Sequence, residues 1–255
     1  MTKLTLYNAP QSTCSQRVRF ILHSKDLSFE DVRLDLFSGE QLKPDYLAIN
    51  PNGVVPTLVH DGAVVTDSSV IMEYLEEVFP EPRSFTPSDP VIRARMRSMM
   101  RFIDEVPAAS IRIPSYNLAF LPHFQAMSEE EFQALADSKP LRREFLMKMG
   151  RTGFPDAEMN EAMGRLERTV IRMNADIEVS GGPYLLGTEP SLADISVMPT
   201  IVRMDDIRLT HMWSDKPAFA NWLDAIRAEP AFKPTYYSGS LLTEKYPHLR
   251  ETLHN

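Results

Sequence analysis

The 255-residue sequence contains a single cysteine, Cys14, which excludes an internal disulfide and any metal site built from several cysteines. Its six histidines are scattered and form no HExxH pair or similar metal-binding spacing. The sequence also lacks a glycine-rich phosphate loop and a GxSxG turn, so nucleotide binding and α/β-hydrolase chemistry lose support. We therefore expect no metal and look for chemistry of another kind.

Basic residues are in deficit, with 27 Lys and Arg against 35 Asp and Glu, and a formal net charge of −8. Nucleic-acid binding needs a basic face, so that class is disfavoured. No apolar run approaches the roughly 20 residues of a membrane span. The first ten residues, MTKLTLYNAP, lack the apolar segment of a signal peptide. These absences predict a cytoplasmic protein without a nucleic-acid or membrane partner.

The pattern of the first 80 residues predicts a small α/β domain. Strands are predicted at residues 3–7, 29–34, 57–59 and 63–65, and helices at residues 17–25 and 68–79. Asp61-Gly62 is a hairpin turn between the last two strands, and residues 39–48 are expected to be a helical turn or irregular. The order βαβαββα makes the first two strands parallel, because a helix connects them.

Four prolines between Pro80 and Pro90 indicate a stiff linker, since proline cannot continue a helix. Beyond the linker the pattern is helical, apart from an irregular stretch at 120–155. Long helices are predicted at residues 91–113, 156–180 and 217–228, with a buried helix after Ser191 and a polar tail at the end. Ser128 with Glu131, and Ser191 with Asp194, form capping boxes. The predicted organisation is domain 1–80, linker 81–90 and all-helical domain 91–255.

Two helix starts and one proline define a candidate site. Pro56 cannot donate to a sheet, so it must begin a strand, where a turn or a cis bond leaves the backbone of Val55 open to a ligand. Helix starts that follow strands present free N–H groups to an anion. The side chains at these starts are Ser12, Thr13, Ser15, Asp67 and Ser68. Each of them is also an ordinary helix-capping residue, and that alternative stays open.

Four stretches of this chain resemble the signature motifs of cytosolic glutathione transferases. They are Ser12–Arg19, Asn50–Leu58, Asp67–Leu75 and Ser191–Asp194, in the family's order and spacing. The resemblance covers nearly the whole chain. It implies a thioredoxin-like N-terminal domain that binds glutathione as co-substrate, an all-α C-terminal domain that holds the second substrate, and a homodimer.

The same resemblance implies roles for individual residues. Val55, before a cis Pro56, pairs with the cysteinyl backbone of glutathione. Asp67 and Ser68 bind the γ-glutamyl carboxylate, whereas Gln41 and Lys43 lie near the glycyl end. Ser12 is the catalytic hydroxyl that donates a hydrogen bond to the sulfur, and Thr13 stands where the zeta class has its second serine. The nucleophilic cysteine of thiol-transferases aligns with Ser12, so Cys14 is expected to be buried or behind the reacting groups.

A second set of stretches resembles the bacterial β-aryl etherases of lignin catabolism. These stretches are residues 60–68, 73–81, 127–132 and 153–155. Such enzymes use the glutathione thiolate to displace an aryloxide from the carbon α to a ketone. In them the first-helix serine corresponds to Ser15, which makes Ser12 and Ser15 rivals. The run from Ser12 to Arg19 follows the zeta pattern instead.

The second-substrate pocket is expected between Ser12 and the long fourth helix. Its predicted walls are Met99, Met100, Ile103, Tyr116, Asn117 and Phe120, joined by Tyr236 and Tyr237 from the tail. Core packing is the alternative role for each methionine. Apolar and aromatic walls suit an aromatic electrophile.

Three functions follow from these patterns. The first is a glutathione transferase that attacks an aromatic electrophile, with β-aryl ether cleavage as one form. The second is a zeta-like glutathione-dependent cis-trans isomerase. The third is a non-catalytic ligand-binding protein with the transferase fold.

Overall fold

The computed structural model describes residues 2–253, without the side chains of residues 140, 251 and 252. A four-stranded mixed sheet with the order β2-β1-β3-β4 forms the N-terminal part. Its strands are β1 (Leu4–Asn8), β2 (Glu30–Arg33), β3 (Thr57–His60) and β4 (Ala63–Thr66). β1 pairs parallel with β2 and antiparallel with β3, and β3 and β4 form a hairpin.

Three helices complete this part: α1 (Thr13–Ser24), α2 (Pro44–Leu47) and α3 (Ser68–Val78). The order βαβαββα and the parallel first pair are therefore confirmed. Apolar side chains of α1 and α3 pack with those of the sheet, and Leu6, Ile21, Leu58 and Ile71 are completely buried. Each such side chain stabilises the fold by about 1.5–3 kcal/mol relative to an exposed position. Asp67 begins α3 by accepting hydrogen bonds from the N–H groups of Ser69 and Val70.

The helix predicted at 91–113 is shorter than expected. α4 spans Pro90–Glu105, and Pro107, which has no N–H for the helical ladder, begins a separate helix. The break therefore lies at Pro107 rather than at Pro114. Three short segments follow: α5 (Pro107–Ser110), α6 (Arg112–Ser115) and a π-helical turn at Tyr116–Phe120.

Residues 121–149 are more ordered than the predicted irregular stretch. They contain α7 (Leu121–Gln125), α8 (Glu129–Asp137) and α9 (Arg143–Met149), and the capping box of Ser128 and Glu131 is confirmed. Their apolar side chains form a second, separate hydrophobic cluster. Its buried members are Phe124, Phe132, Ala136, Leu146, Met149 and Phe154. This stretch therefore folds around a small core of its own.

The main helical core surrounds α11 (Leu192–Asp206), with α10 (Asp156–Ser180) and α12 (Pro217–Ala228) as further long helices. The predicted bounds of α10 and α12 are confirmed, as is the capping box at Ser191. α11 is buried on all sides as far as Met204, which agrees with its almost uninterrupted apolar sequence.

The predicted polar tail instead returns to the N-terminal part. It contains α13 (Phe232–Thr235), α14 (Leu242–Lys245) and α15 (His248–Thr252). The side chain of Arg19 donates to the carbonyl of Thr235, and the amide of Gln16 donates 3.2 Å to the carbonyl of Ser240. Those buried polar contacts hold the C-terminal segment against α1.

The sheet and the helical region share buried polar contacts. Arg17 of α1 donates 2.7 Å to the carbonyl of Ser196 and lies 2.5 Å from the carboxylate of Asp104. Within residues 2–253 no helix is long and apolar enough to cross a membrane. The division into 1–80, 81–90 and 91–255 stays a prediction.

Candidate active site

One edge of the sheet collects most of the predicted site residues. The pairing of Asn8 with Arg33, and of Tyr7 with Thr57, brings the ends of β1 and β2 beside the start of β3. Thr57 also pairs with Thr66, so the start of α3 follows at the same edge. The segments after β1 and β2 and before β3 therefore converge, although they are far apart in the sequence.

A cavity of about 420 Å³ lies between this edge and the helical region. Residues 9–14, 33–37 and 52–55 line it from the sheet side, together with Glu40 and Gln41. The side chains that line it from the helical side are those of Ile111, Arg112, Ser115, Tyr116, Phe120, Lys139, Leu141, Arg142, Arg203, Lys245 and Tyr246. Within residues 2–253, no group of three or more His, Cys, Asp or Glu side chains is arranged to hold a metal ion.

Ser12 lies on the cavity wall as the N-cap of α1. Its Oγ accepts a hydrogen bond of 3.2 Å from the N–H of Ser15. Among the described residues its own O–H donates to no partner, so this proton is available to a ligand. Thr13 and Cys14 follow on the same wall. The first turn of α1 carries no acidic side chain, which leaves the helix terminus favourable to an anion.

Ser15 has a different environment from its rival Ser12. It is completely buried, and its Oγ accepts a hydrogen bond of 3.3 Å from the N–H of Ala9. It does not line the cavity. This placement fixes the turn between β1 and α1.

Cys14 also differs from expectation, because it is only partly buried and lies on the wall.

Val55 lies on the wall, and its peptide bond to Pro56 is cis, as predicted. Within residues 2–253 neither the N–H nor the C=O of Val55 makes a hydrogen bond. The adjacent carbonyl of Val54 is held by the hydroxyl of Tyr46 at 2.6 Å and by the amide of Asn50 at 3.0 Å. The segment is thus fixed at Val54, and the backbone of Val55 stays open to a ligand.

Gln41 lies on the wall, whereas Lys43 does not. The Nε2 of Gln41 donates 3.3 Å to the carbonyl of Leu36, and its buried Oε1 has no partner among the described residues. A buried acceptor without a donor costs free energy, so a ligand N–H is a fitting partner. Lys43 is exposed and lies 3.4 Å from the carboxylate of Glu40.

Asp67 and Ser68 lie outside the main cavity. Asp67 is exposed beside an open groove that also contains Ser69 and Asp104. The Oγ of Ser68 is buried and accepts a hydrogen bond of 3.3 Å from Arg17. Ser68 is therefore part of the contact between α1 and α3.

The predicted walls of the second-substrate pocket divide into two groups. Tyr116 and Phe120 line the cavity. Met99, Met100 and Ile103 instead lie buried in the main core, because their face of α4 packs against α11. That placement corrects the prediction that they form walls, and core packing is the role the structure shows.

Three further predicted wall residues lie elsewhere. Asn117 bonds the backbone of Phe154, accepting at 2.8 Å and donating at 3.0 Å, and so anchors the start of the loop before α10. Tyr236 is partly buried against Phe232, and the ring of Tyr237 lies under the guanidinium of Arg33 at 3.9 Å. These side chains have structural contacts and do not line the cavity.

Sequence reasoning missed part of the aromatic wall. Phe37 contacts Phe120 with a ring-centre distance of 5.1 Å, and Tyr246 contacts Phe120 at 5.5 Å. Tyr116 lies against the same Phe120 at 4.8 Å. The four rings come from segments up to 209 residues apart (37 to 246), and no local pattern joins them. Only the folded tail brings Tyr246 to the cavity.

The cationic side chains of the wall were also missed. Arg112, Lys139, Arg142 and Arg203 line the helical side. Lys139 and Arg142 flank one short turn, whereas Arg112 and Arg203 come from distant helices, so the sequence alone does not bring these cations together.

Arg203 holds the turn that carries Ser12. It is buried, and its guanidinium donates 2.5 Å to the carbonyl of Gln11 and 3.4 Å to the hydroxyl of Ser115. We expect Arg203→Met to lower the free energy of unfolding by about 1–3 kcal/mol, because the carbonyl of Gln11 loses its donor. Urea unfolding measures this change.

The matched control for Arg203 is Arg227→Met. Arg227 pairs with Asp205 at the surface, and such a pair contributes about 1 kcal/mol or less. Equal losses in the two variants would contradict the anchoring role of Arg203.

A thioredoxin-like sheet followed by a helical region, with a cavity between them at the start of α1, is the architecture of glutathione transferases. The family model of the glutathione S-transferase N-terminal domain matches residues 6–83, and that of the C-terminal domain matches residues 156–225. The chain belongs to the glutathione S-transferase family.

Individual relatives agree with this assignment. Protein LigF of Sphingobium sp. strain SYK-6 is 34% identical over 240 residues, which cover 91% of this chain and 93% of that protein. The crystal structure of the beta-etherase LigF from the same strain superimposes with a TM-score of 0.81 at 32% identity, covering 92% of this chain and 98% of that one. Maleylacetoacetate isomerase of Mus musculus is 30% identical over 209 residues, 81% of each chain. The predicted family and fold are confirmed.

Proposed function

We propose that this protein is a glutathione transferase in which Ser12 stabilises the glutathione thiolate for attack on a hydrophobic aromatic electrophile. The observation that carries the proposal is the position of Ser12. Its hydroxyl stands at the N-terminus of a twelve-residue helix, on the wall of a cavity that is also lined by the rings of Phe37, Phe120 and Tyr246. An anion stabiliser and an apolar binding surface thus share one cavity.

The energetic demand on Ser12 is modest. A free thiol has a pKa of about 8.5, so only a few per cent is thiolate at pH 7. Lowering that pKa by one unit requires about 1.4 kcal/mol of preferential stabilisation of the thiolate. One hydrogen bond to a charged acceptor contributes about 1.5–3 kcal/mol, and a helix terminus adds about 0.3–1 kcal/mol. Ser12 and α1 together are sufficient.

The remaining groups at the sheet edge fit glutathione. The free N–H and C=O of Val55 match the peptide groups of its cysteinyl residue, and the unpaired Oε1 of Gln41 matches a ligand N–H at the glycyl end. We assign the γ-glutamyl end to Asp67 and Ser68. The strand register supports this assignment. Thr57 pairs with Thr66, so the neighbouring residues Pro56 and Asp67 lie at the same edge of the sheet, close to Val55. Lys43 is assigned as a nearby cation for the glycyl carboxylate.

The finer reaction we propose is β-aryl ether cleavage. The thiolate attacks the carbon α to a ketone, a C–S bond forms, the C–O bond breaks and the aryloxide leaves to take up a proton. The relative named beta-etherase LigF supports this choice, as does the aromatic wall. A glutathione-dependent isomerase is the second candidate, supported by the relative named maleylacetoacetate isomerase and by the Ser12–Arg19 run.

Product analysis separates these functions. The purified protein is incubated with glutathione and an α-aryloxy ketone, and in parallel with a cis-diketo acid. We expect one phenol released per glutathione consumed in the first reaction. If the protein instead isomerises the diketo acid and consumes no glutathione, its function is that of an isomerase and not of a transferase. The third possible result is that the protein turns over neither compound nor an aryl halide and does not lower the pKa of the glutathione thiol. That result would indicate a non-catalytic binding protein.

We also propose a homodimer, and a cytoplasmic location stays a prediction. Val70 on α3 is 55% exposed and lines the groove of Asp67 and Asp104, and Val64 on β4 is 47% exposed. Exposed apolar side chains of this kind favour a protein–protein contact. Sedimentation equilibrium should show a dimer that Val70→Glu shifts towards monomer by at least about tenfold in Kd, about 1.4 kcal/mol.

The control for this interface is Val179→Glu, because Val179 is 79% exposed at the far end of α10. A monomeric wild-type protein, or equal effects of both substitutions, would contradict the proposed surface.

A further inference from the structure

Within residues 2–253, three cations of the cavity wall have no carboxylate partner. Among the described residues, the side chains of Arg112 and Lys139 make no hydrogen bond and no ion pair. Arg142 donates only to the carbonyl of its neighbour Leu141, at 3.4 Å. All three are partly buried and line the same cavity.

Within residues 2–253 the fully buried cations all have partners. Arg17 lies 2.5 Å from Asp104, and Lys25 lies 2.7 Å from Glu76. Arg19 donates 2.7 Å to the amide oxygen of Asn8, and Arg203 donates to the carbonyl of Gln11. Arg112, Lys139 and Arg142 differ from these cations.

An unpaired cation in a partly dry site lowers the stability of the folded state. Burial lowers the pKa of Arg112, and the adjacent Arg142 lowers it further. Burial also lowers the pKa of Lys139. Such uncompensated groups, gathered in a cavity, indicate a binding site for an anion.

The acidic residues on the wall do not neutralise these cations. Asp35 accepts a hydrogen bond of 2.9 Å from the N–H of Phe37. Glu40 accepts from the N–H of Asp35 at 2.8 Å and pairs with Lys43. Both acidic side chains belong to the sheet side and are engaged there.

The unpaired cations lie on the opposite side of the cavity from Gln41 and Val55. Gln41 and Val55 come from the sheet side, whereas Arg112, Lys139 and Arg142 come from the helical side, with the rings of Tyr116 and Phe120. Burial raises the pKa of Tyr116, and Arg112 and Arg142 are close enough to oppose that rise. Aromatic rings and unpaired cations therefore share one part of the cavity.

We infer that the second substrate is an aromatic compound that carries a carboxylate, and that Arg112 and Lys139, assisted by Arg142, bind this carboxylate while Tyr116 and Phe120 contact the aromatic body. Guanidinium groups are well suited to this role because they pair with a carboxylate through two parallel hydrogen bonds. The inference rests on the proposed function, since it names the substrate class of that site.

The test is a binding comparison that needs no turnover. Calorimetry measures the Kd of biphenyl-4-carboxylate and of its neutral analogue, biphenyl-4-carboxamide, in the presence of glutathione. We expect the carboxylate to bind at least tenfold more tightly. Arg112→Gln and Lys139→Gln should each reduce this preference about fivefold, and the double variant should abolish it.

Two control variants make the comparison specific. Lys148→Gln removes a surface cation paired with Glu158, and Arg143→Gln removes a surface cation paired with Asp137, and neither residue lines the cavity. Both should leave the preference within twofold of the wild type. Arg112→Gln and Lys139→Gln should also unfold at a Tm equal to or above the wild-type value, since each removes an unpaired charge.

Three results would overturn the inference. They are equal binding of carboxylate and carboxamide, a preference that survives in the double variant, and failure of the protein to bind the carboxylate while it still binds glutathione. The proposed function fails by a different result, namely no cleavage of a neutral α-aryloxy ketone and no lowering of the thiol pKa. The two failures are therefore distinguishable.

Discussion

Replacing Ser12 by alanine is expected to lower kcat/KM by about 10- to 100-fold, since a hydrogen bond to a charged acceptor contributes about 1.5–3 kcal/mol. The Oγ of Ser12 lines the cavity and its proton has no partner within the described residues. Removing it takes away a donor to the thiolate and leaves the helix terminus in place. Steady-state kinetics with glutathione and an α-aryloxy ketone measure the loss.

The control variant is Ser15→Ala. Ser15 is completely buried, and its Oγ bonds the N–H of Ala9. Its loss should lower the free energy of unfolding by about 1–3 kcal/mol while kcat/KM stays within about threefold of the wild type. A large kinetic loss in Ser15→Ala with a normal Ser12→Ala would assign the catalytic hydroxyl to Ser15, as in the etherase alignment. Wild-type rates in both variants would contradict both assignments.

Replacing Asp194 by alanine is expected to lower the free energy of unfolding by about 3–5 kcal/mol, because several buried donors lose one acceptor together. The carboxylate is completely buried and accepts from four donors. They are the N–H of Leu185 at 2.9 Å, the N–H and Oγ of Ser191 at 2.8 and 2.7 Å, and the indole N–H of Trp222 at 2.9 Å. The side chain of Asp194 thus joins the start of α11 to α12 and to the loop that precedes α11.

Fluorescence-monitored urea unfolding measures this effect, since Trp222 is one of only two tryptophans. Asp215→Ala is the matched control, because Asp215 is exposed and pairs only with Lys216. That control should cost about 1 kcal/mol or less. If Asp194→Ala lowers the free energy of unfolding by no more than this control does, the buried carboxylate does not organise the helical core.

The sequence was a good guide wherever a local rule decides the structure. Apolar periodicity, with Gly181 after α10 and Pro217 at the start of α12, predicted the correct bounds of these helices, and Pro56 marked the start of β3 and its cis bond. The helix predicted from Val91 was too long. Its apolar periodicity continues past Pro107, although this proline interrupts the helical hydrogen bonds. The tail looked polar, and its docking on α1 depends on contacts such as that of Arg19 with Thr235, which no local pattern encodes.

The site was predictable on the sheet side and much less so on the helical side. Ser12 follows β1 and Val55 precedes β3, and the topology of a small α/β domain brings such positions together, whereas Gln41 was predicted only through the family resemblance. The methionine face of α4 indicated burial correctly, but periodicity does not distinguish a core from a pocket. The sequence did not predict a role for Arg112 and Lys139, because an unpaired cation is recognised only from its surroundings in the folded chain.

The most direct test of the central claim is the titration of glutathione bound to the wild-type protein, followed by the ultraviolet absorbance of the thiolate. With Ser12 and the first turn of α1 at the sulfur, the bound thiol is predicted to titrate at about 7.5 or lower, whereas the free thiol titrates near a pKa of about 8.5. In Ser12→Ala the bound thiol should return towards the free value. A wild-type complex whose thiol titrates like free glutathione would contradict thiolate activation by Ser12.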